Sequence, residues 1–173
     1  MILYKSMLTG EEILKLNLCN NITDKNLQIQ PTGIDFSVKT IYEWKDRGIL
    51  DFSNKERKLP EIKEIKPVNG IYYLSMGAYM VEFKESVKIP NNIAGIMLSR
   101  SSLNRSGAFV TGALIDPGFE GNISVVLHII NPYGLNLKEN ARIAQWIFFK
   151  LEKNVKKGYS GKYAKKEIKN LHS

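Results

Sequence analysis

The chain has 173 residues, is 43% hydrophobic and 24% charged, and carries a net charge of +8; that balance suits one globular domain with a substantial core. No run reaches the roughly 18 apolar residues of a membrane-spanning helix, and residues 1–12 lack the apolar centre of a signal peptide, so a cytoplasmic protein with no membrane partner is expected. A lone Cys19 excludes an internal disulfide, and with only His128 and His172 no zinc-site spacing exists.

In chain order, Thr9, Gly10, Glu11 and Glu12 have the form of a capping box, followed by Ile13, Leu14 and Leu16 as an apolar face, which predicts a short N-terminal helix. Cys19 reads as a small core residue. Beyond Asn20 the pattern becomes short apolar or alternating runs broken by turn residues: LQIQ, GIDFSVKTIYEW, IYYLSMGAYMVEF, IAGIMLS, GAFVTGALID, NISVVLHIIN and ARIAQWIFFKL. The fold class expected is mainly β, a sandwich, jelly roll or barrel. Residues 46–67, rich in Lys and Glu, read as an exposed excursion between strands. Ile123, Val125, Val126, Leu127, Ile129 and Ile130 make a strand apolar on both faces, which needs cover from a second sheet or a second subunit. The whole of 1–173 reads as one domain, with a flexible basic arm from about residue 153. That tail carries much of the excess charge: residues 150–173 hold eight lysines against Glu152 and Glu167. It is either a solvated terminus or an arm that closes over a polyphosphate.

Residues 100–121, RSSLNRSGAFVTGALIDPGFEG, carry the chemistry. Arg100, Ser101 and Ser102 follow an apolar strand and are expected in a loop, where a guanidinium fork and two hydroxyls suit phosphate oxygens, with Arg105 a second cation three residues on. The same serines would serve equally well to cap their own loop. Asp116 ends the apolar run Ala113, Leu114, Ile115 and meets Pro117-Gly118. It is either a turn starter or a carboxylate that orients and deprotonates a water. Its nearness in sequence to the anion donors favours phosphoanhydride hydrolysis, with a divalent metal on the phosphates to offset repulsion. Gln145 stands inside an otherwise apolar run, where a buried amide requires partners.

RSSLNRSG, TGALIDPGFEG, ARIAQWIF and GYSGKY, with QPTGIDFSV before them, resemble the motifs of the dUTPase and dCTP deaminase superfamily in order and approximate spacing, from about Leu27 to Tyr163. The resemblance implies a distorted β-barrel or jelly roll, a homotrimer with sites at subunit boundaries, and a deoxynucleoside triphosphate bound with magnesium through its phosphates and water, with no protein metal cage. Deaminases of this superfamily carry a general acid/base glutamate ten residues after the aspartate; Val126 stands there, and a valine moves no proton. The zinc-type deaminase signature, H-x-E with P-C-x-x-C, is absent as well, since the chain has one cysteine.

GALID, by contrast, is similar to the dUTPase segment whose aspartate holds the attacking water. The resemblance therefore implies a dUTPase on a deaminase-like frame, with Asp116 catalytic. It places Arg100, Ser101 and Ser102 on phosphates, Gln145 on the α-phosphate or a magnesium-bound water, and Phe119 on deoxyribose, while Arg105 matches a catalytic-site arginine of the deaminases that could still serve as a phosphate ligand. The backbone of 111–114, Gly112 included, would read the base, and Asp35 would support the arginine network. GYSGKY resembles the deaminase tail, so Lys162 and Tyr163 would close on phosphates and Tyr159 would stack on the base. The alternatives are a dCTP deaminase or bifunctional enzyme, a non-catalytic nucleotide-binding regulator, and a nucleic-acid-binding module driven by the tail.

Overall fold

A computed structural model describes residues 7–112, 114–161 and 163–164. The capping box forms as its sequence predicts: Glu12 N donates to Thr9 Oγ1 at 3.2 Å and Thr9 N donates to Glu12 Oε2 at 3.0 Å. It starts helix α1 (Gly10–Lys15), which buries Ile13 and half-buries Leu14. Leu16, expected on the apolar face, is the C-cap and lies 51% exposed.

The chain continues through β1 (Cys19–Asn20), α2 (Lys25–Gln28), β2 (Ile29–Gln30), β3 (Gly33–Trp44), β4 (Ile62–Ile65), β5 (Ile71–Leu74), β6 (Gly77–Lys88) and β7 (Ile93–Ser99). It ends with α3 (Ser101–Arg105), β8 (Ala108–Thr111), β9 (Glu120–Ile129), β10 (Leu135–Lys138) and β11 (Arg142–Lys150). LQIQ is therefore half helix, because Asp24 caps α2 by accepting from Asn26 N and Leu27 N and turns Leu27 and Gln28 into a helical turn. The excursion at 46–67 is a long hairpin: Ile49 and Lys58 bridge across it, and its return limb is β4, paired with the end of β3.

One sheet runs β7-β11-β3-β6-β9-β8, with β1, β2 and β4 added at its margins, while β5 and β10 form a separate pair. The two ends of the large sheet meet. Val110 N of β8 donates to Ser99 Oγ of β7 at 2.9 Å, and that hydroxyl donates to Val110 O at 3.3 Å. Gly95 of β7 then exchanges backbone hydrogen bonds with Ile115 at 3.0 and 2.8 Å. The sheet is thereby nearly closed into a barrel, the form that leaves fewest unpaired edges.

Alternation fills the interior. Ile123, Val125, Leu127 and Ile129 of β9 point inward and are buried, while Ser124 and Ile130 are exposed and Val126 and His128 half-exposed. Phe36 packs edge-on to Phe83 at 5.6 Å between centroids and tilts against Trp146 at 6.0 Å, tying β3, β6 and β11 together. Cys19 is buried, and burial pushes its thiol well above the ordinary range, so it stays an unreactive core residue. Among the described residues no helix is long and apolar enough to cross a membrane.

Candidate functional site

Asp35 lies on β3 with only 1% of its surface exposed, and it gathers two cations. Arg100 Nε forms an ion pair with Asp35 Oδ2 at 2.9 Å, and Arg142 Nη1 donates to the same oxygen at 3.0 Å. Arg100 Nη1 also donates to the Arg142 carbonyl at 3.1 Å, and Arg142 donates to the Leu27 carbonyl. Burial pushes the Asp35 carboxyl above the usual aspartate range; the charges of Arg100 and Arg142 oppose that shift, and Glu85 adds to it.

Behind Asp35 sits a second polar layer. Glu85, fully buried, accepts from Ser37 N at 2.8 Å, Ser37 Oγ at 2.6 Å and Gln28 Nε2 at 2.5 Å. Gln28 Nε2 also donates to the Asp35 carbonyl at 3.0 Å, and its Oε1 accepts from Thr23 N and Asp24 N. The β3 segment that presents Asp35 is thus fixed from behind by fully paired groups. Gln145 of β11 stands directly across from Asp35, so the two share a face. Its amide lies beside Gly33, 3.0 Å from where a Cβ there would stand, and has no hydrogen bond among the described residues.

Arg100 is the N-cap of α3 and makes no side-chain cap. Ser101 and Ser102 therefore open a helical turn rather than an irregular loop. Both are exposed, and neither hydroxyl has a hydrogen bond among the described residues; they do not cap their own backbone. Arg105, exposed, is the last residue of α3 and lies one turn from Ser101 and Ser102. This end of the molecule collects Asp35, Arg100, Ser101, Ser102, Arg105, Arg142 and Gln145.

Asp116 is elsewhere. Ile115 pairs antiparallel with Gly95, near the start of β7, which levels Asp116 with Ala94 while Arg100 follows the far end of the strand. Six residues of strand separate the two by about 20 Å. Sixteen positions apart in sequence, Asp116 and Arg100 lie toward opposite ends of β7 within one protomer. Asp116 is exposed and begins a turn in which Phe119 N donates to the Asp116 carbonyl at 3.2 Å. Phe119 follows it, half-buried, with the ring of Tyr159 edge-on at 5.3 Å.

Thr111 ends β8, and its hydroxyl shares a hydrogen bond of 2.9 Å with His128 Nε2. Gly112 backs onto Val125 and Met97. These residues border a groove of about 280 Å³ lined by Met80, Thr111, Gly112, Ser124, Val125 and Val126. Val126 pairs with Thr111 on one side and Met80 on the other, so the strand position where deaminases hold their acid is apolar, and the groove lining holds no titratable group. Tyr163 lies under Arg57 of the hairpin, 5.3 Å from guanidinium carbon to ring centroid. Lys162 and Ala113 fall outside the described residues.

Sequence reasoning missed Arg142, Glu85, Gln28 and Arg57. Arg142 stands in the very run ARIAQWIF that drew attention to Gln145, three residues before it.

The dCTP deaminase-like family matches residues 7–151. The probable deoxyuridine 5'-triphosphate nucleotidohydrolase of Methanosarcina mazei is 40% identical over 164 residues, covering 91% of this chain and 96% of that protein. The deoxyuridine 5'-triphosphate nucleotidohydrolase of Methanocaldococcus jannaschii is 38% identical over 159 residues, covering 91% of this chain and 98% of that protein. Among solved structures, the 2'-deoxycytidine 5'-triphosphate deaminase of Agrobacterium tumefaciens shares the fold with a TM-score of 0.65 at 16% identity. That match covers 84% of this chain, which spans 48% of the deaminase's length. The chain belongs to the dCTP deaminase-like family.

Proposed function

We propose that the protein hydrolyses dUTP to dUMP and diphosphate, in the cytoplasm, as a homotrimer whose sites are each assembled from more than one protomer. The observation that carries this reading is the pairing of an exposed Asp116 with an apolar Val126: the carboxylate for aiming water is available, and the acid for exchanging an amino group is not. The names of the archaeal relatives point the same way. The trimer is supported by the roughly 20 Å between Asp116 and Arg100 within one chain, and by the outward apolar side chains of Leu98, Leu114 and Ile130, each more than half exposed.

In the mechanism, Arg100 and the hydroxyls of Ser101 and Ser102 receive phosphate oxygens, with Arg105 adding charge and Gln145 reaching the α-phosphate. Asp35 and Arg142 hold the Arg100 guanidinium in place. Asp116 of the partner subunit accepts a proton from a water and aims it at the α-phosphorus. The new P–O bond forms in line as the bond to the bridging oxygen breaks, and diphosphate leaves. Phe119 packs on the deoxyribose, and the backbone around Thr111 and Gly112 reads the base. Tyr159, Lys162 and Tyr163 of the tail complete the enclosure.

The donor set fits magnesium carried on the substrate. Among the described residues no group of three His, Cys, Asp or Glu side chains could hold a metal, and Asp35 is already engaged by two arginines. Gln145 is the residue placed to touch one of the ion's waters. When bound, magnesium neutralises phosphate charge and polarises the phosphoryl oxygens.

The test offers purified protein and magnesium dUTP and dCTP separately, scoring diphosphate and ammonia. Diphosphate from dUTP without ammonia from dCTP is expected. Ammonia release from dCTP, or no diphosphate from dUTP, overturns the reading.

A further inference from the structure

Uracil and cytosine share an outline and differ at one edge. Uracil presents a 4-oxo acceptor and an N3–H donor there, and cytosine a 4-amino donor and a bare N3 acceptor. A side chain that tells them apart must hold one hydrogen-bonding polarity and refuse the other. A hydroxyl alone does not, because its proton turns to suit either base. The groove beside β8 and β9 offers two hydroxyls, Thr111 and Ser124, among apolar walls. Of the two, Thr111 is the one with a side-chain partner among the described residues: its Oγ1 lies 2.9 Å from His128 Nε2.

Strand register makes that contact. Thr111 pairs with Val126 and Phe109 with His128, so Thr111, Val126 and His128 share the outward face and Thr111 meets His128 on the diagonal. Phe109 stacks on the imidazole with 4.8 Å between centroids and 14° between planes, which fixes the plane of the ring. The proton's place on that ring follows from its partners. Among the described residues Nδ1 has no hydrogen bond, so nothing holds a proton there, whereas Nε2 faces an oxygen. With Nε2 protonated, Thr111 Oγ1 accepts from the ring, and its own proton is left to point into the groove. The imidazolium form gives the same direction, since both of its nitrogens donate.

We propose that His128 is a positioning residue for base choice: it fixes the Thr111 hydroxyl as a donor, which meets the 4-oxo group of uracil and turns away the 4-amino group of cytosine. This rests on the reading that the 111–114 segment receives the base of dUTP. Gly112 lets the chain lie close at this point, since a Cβ there would stand 3.0 Å from Val125 Cγ1. Val126, across from Thr111, offers cytosine no acceptor in its place. A dCTP in this groove would set its amino protons against the Thr111 proton, and a donor would go unpaired.

Binding tests this without turnover. Calorimetric titration with magnesium and the non-hydrolysable α,β-imido analogues of dUTP and dCTP gives the ratio of the two Kd values. Thr111→Val keeps the β-branched shape and removes the hydroxyl; His128→Phe keeps the stack on Phe109 and removes Nε2. Each should cut the preference for the uracil nucleotide about tenfold, the scale of one unpaired polar group. Thr111→Ser, which keeps the hydroxyl, should stay within about twofold of the unmodified protein. Equal binding of the two analogues by the unmodified protein overturns the proposal. So does an unchanged ratio in Thr111→Val or His128→Phe, or a loss in Thr111→Ser as large as in Thr111→Val.

Nitrogen NMR of histidine-labelled protein without nucleotide provides a second reading, with His172→Gln removing the other histidine. Nε2 of His128 is expected to carry a proton; a bare Nε2 with the proton on Nδ1 overturns the proposal. Neither readout needs hydrolysis. A protein that releases no diphosphate from dUTP yet keeps the binding preference would lose the hydrolase reading and leave the role of His128 standing.

Discussion

Arg100 and Asp35 meet at 2.9 Å across the β7 and β3 sides of the barrel, with the Asp35 side chain 2% exposed. Breaking such a pair from the Asp35 side leaves two guanidiniums, 28% and 25% exposed, without the carboxylate that they share. Asp35→Ala strands both Arg100 and Arg142, which water reaches in part, and is expected to lose about 1–3 kcal/mol of stability. Denaturant unfolding at fixed protomer concentration checks this; a loss below about 1 kcal/mol, the level of an exposed pair, would remove Asp35 from its structural role.

The same carboxyl governs a pH response. Burial raises Asp35 above the usual aspartate range against the pull of Arg100 and Arg142. With its folded value above its unfolded value, the group's contribution to stability is fully present below the unfolded value and is lost as pH rises through the folded one. Activity should move the other way. As pH falls through the raised value, Asp35 takes a proton, its grip on Arg100 weakens, and KM for dUTP rises. The kcat/KM profile should therefore show an acid limb above the ordinary aspartate range, and Asp35→Asn should lack it.

Asp116→Asn keeps the turn and loses the base. Turnover should fall at least about a thousandfold, in the range of a lost general base, while dUTP binding stays within a few-fold, as read by calorimetric titration with magnesium present. Near-normal diphosphate release by this variant would remove Asp116 from the chemistry.

Arg57 holds the ring of Tyr163 and also donates to Asn54 Oδ1 at 3.2 Å within its hairpin. Arg57→Ala should raise KM for dUTP roughly two- to fivefold, the scale of an exposed cation–π contact, and leave kcat nearly unchanged. Arg57→Lys, which keeps the cation, should recover part of the loss. Steady-state kinetics on the three proteins separates this from a general loss of structure, which would lower kcat as well.

What the sequence made legible follows local physics. β3 and β7 run as their apolar patterns predict because turn residues bound them, Pro31-Thr32 before one and Pro90 with two asparagines before the other. β4 was hidden because Lys63 and Glu64 interrupt its isoleucines, and only pairing with β3 makes it a strand. α3 was hidden because an Arg-Ser-Ser run reads as a loop until five residues close a turn. The site was legible as residue types and not as places. Asp116 and Arg100 look like neighbours along the chain, and the Gly95–Ile115 bridge, a tertiary contact no local pattern encodes, sets them at opposite ends of β7.

Turnover of dUTP in ¹⁸O-labelled water tests the central claim most directly, because the water held by Asp116 is assigned to the α-phosphorus. The label is predicted in dUMP, with unlabelled diphosphate. Label in the diphosphate, which would mean attack on the β-phosphorus, contradicts the account.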